Sequence, residues 1–198
     1  MRKWHDDPFT KKARRENFEA RSVYKLEEID KRERVFQGVT RVLDLGASPG
    51  SWTQYCLKKL TSPQSQIIAV DISPLGFNNP KVIFIQKPIE EIDLGPIIGE
   101  EKIDLVLSDM APKTTGVHDT DVARSFDLAS LALQSAIRFL KPGGCFIVKL
   151  FMGESFEEYR NLLREHFKEI RIIRPESTRK HSREIFFVAK GFKDLSSK

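Results

Sequence analysis

Cysteine is scarce in this chain: Cys56 and Cys145 are the only two in 198 residues, and they form no Cys-x-x-Cys. That spacing suggests neither a zinc site nor a disulfide framework, and we expect no metal. No apolar run approaches the roughly 18–20 residues that span a membrane. The opening Met1-Arg2-Lys3-Trp4-His5-Asp6-Asp7 lacks the apolar centre of a secretory signal. A reduced, cytoplasmic protein without membrane association is expected. No repeat, low-complexity segment or domain boundary breaks the sequence, so residues 1–198 read as one domain. Within it, 1–35 form an N-terminal helical extension and 36–192 a core.

Acidic charge is also in short supply. There are 28 Asp and Glu against 33 Lys and Arg, a net +5. The imbalance is local. From Arg160 to Lys198 eleven Lys/Arg face five Asp/Glu, and Arg171, Arg174, Arg179, Lys180 and Arg183 face only Glu176. Lys11, Lys12, Arg14, Arg15 and Arg21 add a second cluster near the start. A solvated surface explains such runs, and a polyanion such as RNA or DNA uses them.

Glycine and proline are missing from about Thr10 to Arg34, which predicts one long helix. Phe18, Ser22, Lys25 and Ile29 would share one of its stripes. Strands and helices then alternate. Strands are expected at Arg41–Leu45, Gln66–Val70, Lys81–Gln86, Ile103–Ser108 and Cys145–Leu150. Helices are expected at Trp52–Leu60, Asp121–Leu140 and Ser155–Phe167. Ile170–Ile173 and Ile185–Ala189 are strands with only a loop between them, so they should pair antiparallel. The expectation is an α/β fold: a mostly parallel, seven-stranded, Rossmann-like sheet with one antiparallel strand and helices on both faces.

In such sheets ligands bind at the carboxyl ends of the parallel strands. The turn there, Asp44-Leu45-Gly46-Ala47-Ser48-Pro49-Gly50-Ser51-Trp52, has no Gly-x-Gly-x-x-Gly, which disfavours a dinucleotide. Asp71 ends the second strand, where an acid can accept hydrogen bonds from ribose hydroxyls. Together these describe a site for a nucleoside-bearing cofactor without a pyrophosphate, S-adenosylmethionine. Asp109 and Lys149 end two further strands, and Glu184 begins the antiparallel one at the same rim. Lys149 interrupts an apolar run, where burial disfavours an ammonium. With Lys25 as a neighbouring cation it could serve as a general base; the bland alternative is a structural ion pair with Asp109 or Glu184.

The chain resembles the FtsJ/RrmJ family of S-adenosylmethionine-dependent RNA 2′-O-ribose methyltransferases from about Arg15 to Phe192. The motifs that carry the resemblance are Arg21-Ser22-Val23-Tyr24-Lys25-Leu26, the Asp44–Trp52 turn, Ser108-Asp109-Met110-Ala111-Pro112, Gly143-Gly144-Cys145-Phe146-Ile147-Val148-Lys149 and Ser182-Arg183-Glu184. The resemblance implies a catalytic tetrad of Lys25, Asp109, Lys149 and Glu184, with Lys149 as the base. It also implies that Gly46, Gly50, Trp52, Asp71 and Asp109 line the cofactor. The acid that family members often carry after the third strand is absent from Gln86-Lys87-Pro88-Ile89, so adenine should be held by backbone at Lys87 to Ile89, or by packing.

The compact chain resembles most the enzymes that methylate a uridine ribose of large-subunit ribosomal RNA; relatives of similar size act on tRNA. No obligate protein partner is evident. The polar loop 112–120 could fold over substrate. Asp109-Met110-Ala111-Pro112 lacks the aromatic that base methyltransferases place there. Two other classes stay open: a non-catalytic RNA-binding module and a dehydrogenase.

Overall fold

In the computed structural model, residues 7–194 are described; of the stretch 1–9, expected to be irregular, residues 1–6 lie outside them, while Pro8 and Phe9 open the first helix behind the N-cap Asp7. Seven strands form one sheet in the order β3-β2-β1-β4-β5-β7-β6. They are β1 (Arg41–Leu45), β2 (Gln66–Asp71), β3 (Val82–Gln86), β4 (Ile103–Ser108), β5 (Leu140–Phe151), β6 (Phe167–Ile173) and β7 (Glu184–Phe192). Neighbours from β3 to β5 pair parallel. β7 runs antiparallel to both β5 and β6, which makes it the single reversed strand.

Central strands are apolar on both faces because helices cover both: every residue of β4 is buried. One core holds Leu43, Val106, Phe146 and Phe187 under α4 (Gly95–Ile98), α5 (His118–Phe139) and α6 (Phe156–His166). The other holds Val42, Leu107, Ile147 and Phe186 under α1 (Pro8–Arg15), α2 (Val23–Glu33) and α3 (Ser51–Lys59). Burying each such side chain contributes about 1.5–3 kcal/mol. At the edge away from the candidate site, buried Asp104 accepts hydrogen bonds from Thr40 N (2.7 Å) and Arg41 N (2.8 Å) and pairs with Lys141, fixing the start of β1. The Lys141-Pro142-Gly143-Gly144 turn is a bulge inside β5: Ile103 pairs with Leu140, and Leu105 with Cys145.

The long N-terminal helix does not form. α1 ends at Arg15, Asn17 takes a left-handed φ of 58°, and Phe18 N donates back to Ala13 O at 2.9 Å. Asparagine tolerates this conformation next best to glycine, so it ends a helix without any Gly or Pro. Phe18 and Ser22 therefore lie before α2, and the four-residue stripe does not exist. Three contacts fasten α2 to α3 instead. Trp52 Nε1 donates to Ser22 O (2.9 Å), the Ser22 and Ser51 hydroxyls are 2.7 Å apart, and Tyr55 OH donates to buried Asp30 (2.9 Å).

Candidate active site

The loops after β1, β2, β3 and β4 enclose a cleft of about 490 Å³. Gly46 has φ +76°, and a Cβ there would stand 2.7 Å from Met110 N. Only glycine lets the turns after β1 and β4 approach this closely. Asp71 faces the cleft, with Oδ2 accepting from Ser48 N (2.9 Å) and Oδ1 from Ser73 N (2.7 Å). A carboxylate has about four acceptor positions, so both oxygens retain capacity for ribose hydroxyls. Lys87 and Asp109 also line the cleft.

Two expected cofactor residues lie elsewhere. A Cβ on Gly50 would meet Phe77 at 2.5 Å, and Trp52 is 2% exposed, its indole packed on Phe186 (5.7 Å). Neither lines the cleft. Conversely, Glu90 does line it. This acid stands one residue beyond Gln86-Lys87-Pro88-Ile89. Pro88 opens a single 3-10 turn, Ile89–Glu91, that swings Glu90 back to the cleft.

Asp44, in β1 two residues before Gly46, is fully buried. Thr53 Oγ1 donates to its Oδ2 at 2.6 Å, while Oδ1 has no hydrogen-bond partner. Burial pushes its carboxyl up to about 7; the Thr53 bond opposes this, and Asp109 and Asp71 reinforce it.

Lys25, Asp109, Lys149 and Glu184 form two ion pairs. Lys149, 6% exposed, donates from Nζ to Asp109 Oδ1 (2.8 Å) and to Asp109 O (2.5 Å). Lys25 Nζ lies 2.6 Å from Glu184 Oε1. Register places both pairs on one sheet face: Lys149 is opposite Phe186, and Phe151 opposite Glu184. Lys25 Nζ sits 5.8 Å above the Phe186 ring. The acid closest to each lysine is thus its own partner, and Lys25 answers Glu184 as a counter-ion.

Two more openings flank Glu184. One, about 230 Å³, is lined by Arg21, Lys25, Ser177, Arg179, Ser182 and Glu184. The other, about 360 Å³, has Phe151, Val122, His118, His181 and Arg183 on its walls, and Ser182 belongs to both. Not every basic residue faces them: Arg174 donates to Ser182 O (2.8 Å), holding its own loop. Among the described residues no helix is long and apolar enough to cross a membrane.

A doubly wound sheet closed by an antiparallel strand, with a nucleoside-sized cleft beside a buried lysine, defines the Rossmann-like methyltransferase class. The model of the FtsJ-like methyltransferase family matches residues 18–192, and the chain belongs to that family, whose cofactor is S-adenosylmethionine. It is 45% identical over 186 residues to the Ribosomal RNA large subunit methyltransferase E of Bdellovibrio bacteriovorus, covering 92% of this chain and 94% of the relative. The protein of that name from Oleidesulfovibrio alaskensis is 43% identical over 199 residues, covering 98% and 95%. A Plasmodium falciparum crystal structure described as a ribosomal RNA methyltransferase superposes with a TM-score of 0.78 at 29% identity, over 88% of this chain and 98% of that one. The residues of the cleft fit the cofactor: Asp71 has acceptor capacity for hydroxyls, Ile72, Ile89, Met110 and Leu128 offer apolar contact, and Gly46 keeps the lining free of a side chain.

Proposed function

We propose that the protein methylates a ribose 2′-hydroxyl, that of a uridine, in large-subunit ribosomal RNA. The placement of Lys149 Nζ, anchored to Asp109 on the wall of the donor cleft, carries this reading. Bound S-adenosylmethionine supplies an electrophilic methyl. Asp71 orients its ribose, and Glu90 with the backbone of Lys87–Ile89 faces its base. Lys149 holds two N–H bonds to Asp109, and once it has released its third proton it turns the lone pair to the incoming hydroxyl, whose proton it takes. Asp109 thus fixes where the lone pair points. Lys25 and Glu184, bound to one another, frame the acceptor side. Holding nucleophile and methyl in line accounts for much of the rate.

Arg21 and Arg179 meet phosphates, and Ser177, whose buried hydroxyl has no partner, lies in the same opening. The names of the relatives support ribosomal RNA as substrate. The test is transfer of labelled methyl to large ribosomal subunits from a strain lacking the gene, followed by mapping of the mark. Transfer to tRNA alone, or to a base, would overturn the assignment.

A further inference from the structure

Phe151 is an aromatic residue that the fold does not account for. It ends β5 two residues after Lys149, so both side chains leave the same sheet face, roughly 6.6 Å apart along the strand. It is half-buried and lies outside both apolar cores. Among the described residues it pairs with no other ring. Its register partner is Glu184, of the Lys25 ion pair.

Phe151 forms a wall of the 360 Å³ opening, within the range of small-ligand sites. Val122, from the first turns of α5, supplies a second apolar contact there, and Thr114, His118 and His181 bring hydrogen-bonding groups. Gly153 lets the chain after β5 press against α5, since a Cβ there would lie 2.5 Å from Val122 Cγ1. An apolar slot rimmed by donors and acceptors, one pleat from the lysine, has the character of a nucleobase site.

We propose that the base of the acceptor nucleotide stacks on Phe151 while its ribose lies at Lys149. The inference rests on the 2′-O-methylation reading. The 2′-oxygen is carried by the carbon bonded to the one that holds the base, so an acceptor poised at Lys149 Nζ sets its base within one side-chain length. Phe151 occupies that place. Stacking on an aromatic face tolerates any base, so Phe151 supplies affinity and position, and the polar rim meets the base edges. Phe151 is therefore a substrate-contacting residue on the acceptor side, apart from the donor cleft.

The test compares Phe151→Leu with Phe151→Tyr, using labelled S-adenosylmethionine and large ribosomal subunits from a strain lacking the gene. Phe151→Leu should lose about 5- to 150-fold in kcat/KM for subunits, the range that loss of one base stack implies. Its affinity for S-adenosylmethionine, by calorimetry, should stay within twofold. Phe151→Tyr should keep kcat/KM within about threefold of wild type. If Phe151→Leu binds no cofactor and so is misfolded, Phe151→Met takes its place under the same expectation. A folded aliphatic variant with wild-type kcat/KM overturns the base platform and leaves the methylation reading standing. A wild-type enzyme that transfers no methyl to subunits overturns that reading itself.

Discussion

Replacing Asp44 with asparagine should make the protein more stable at neutral pH, and the effect should vanish in acid. Asp44 is completely buried, its Oδ1 has no partner, and burial above all raises its carboxyl to about 7. In the unfolded chain the same group titrates near about 3.9. Between these values the folded protein holds a proton that the unfolded chain has lost. Stability from this group is fully present below about pH 4 and is lost as pH rises towards 7. Each unit is worth about 1.4 kcal/mol, so roughly 4 kcal/mol disappears across the window. Above pH 7 both states are ionised and the cost is constant. Asparagine has nearly the same shape, does not titrate, and still accepts the Thr53 bond through its amide oxygen. Urea unfolding of both proteins from pH 4 to 9, without cofactor, isolates the difference, since lowered acids such as Asp104 act equally in both. The variant should match wild type near pH 4 and exceed it by a few kcal/mol at pH 8. Parallel curves for the two proteins would refute the reasoning, because the orphan carboxylate would then carry no cost.

Lys149→Met should lower turnover by about 10²–10⁴-fold with cofactor affinity little changed, and Lys149→Arg should be as inactive, since a guanidinium does not give up its proton. Activity in the arginine variant would remove Lys149 as base. Trp52→Phe deletes the bond to Ser22 O at the root of α2 and should cost about 2 kcal/mol of stability. Calorimetry should find its cofactor affinity unchanged; a parallel loss would return the indole to the donor site. Gly46→Ala forces a Cβ to 2.7 Å from Met110 N at a positive φ. Thermal melts should register a loss of about 2 kcal/mol or more, together with weakened cofactor binding.

The sheet was readable because its central strands carry unbroken apolar runs that end in charged residues. Arg41–Leu45 and Ile103–Ser108 lie where patterning placed them, and the short loop before β7 dictated its reversal. Asp71, Asp109, Lys149 and Glu184 could be gathered at one rim because strand ends define it. What escaped depended on local backbone geometry or on distant packing. Asn17 breaks a helix through a conformation that composition does not announce. Glu90 reaches the cleft only because a 3-10 turn redirects it. The resemblance implies Trp52 at the cofactor, whereas its ring bonds to Ser22 O and packs on Phe186, both brought near by tertiary packing. The pairing of Lys25 with Glu184 likewise depends on how α2 lies across β7.

That last arrangement has a consequence for the order in which the enzyme becomes competent. The donor cleft is made from the loops of β1 to β4, local in sequence. The acceptor side is a clasp between segments far apart in sequence: Arg21 donates to Ser177 O across 156 residues, and Lys25 pairs with Glu184. Contacts so distant close last during folding, and are the first lost to partial opening. Hydrogen exchange should therefore be faster at Lys25–Glu33 and in the 174–184 loop than in β1 and β4; equal protection would contradict this. A chain frayed near Lys25 or Glu184 would keep the loops of β1 to β4 in place and yet lose the ion pair that joins α2 to β7.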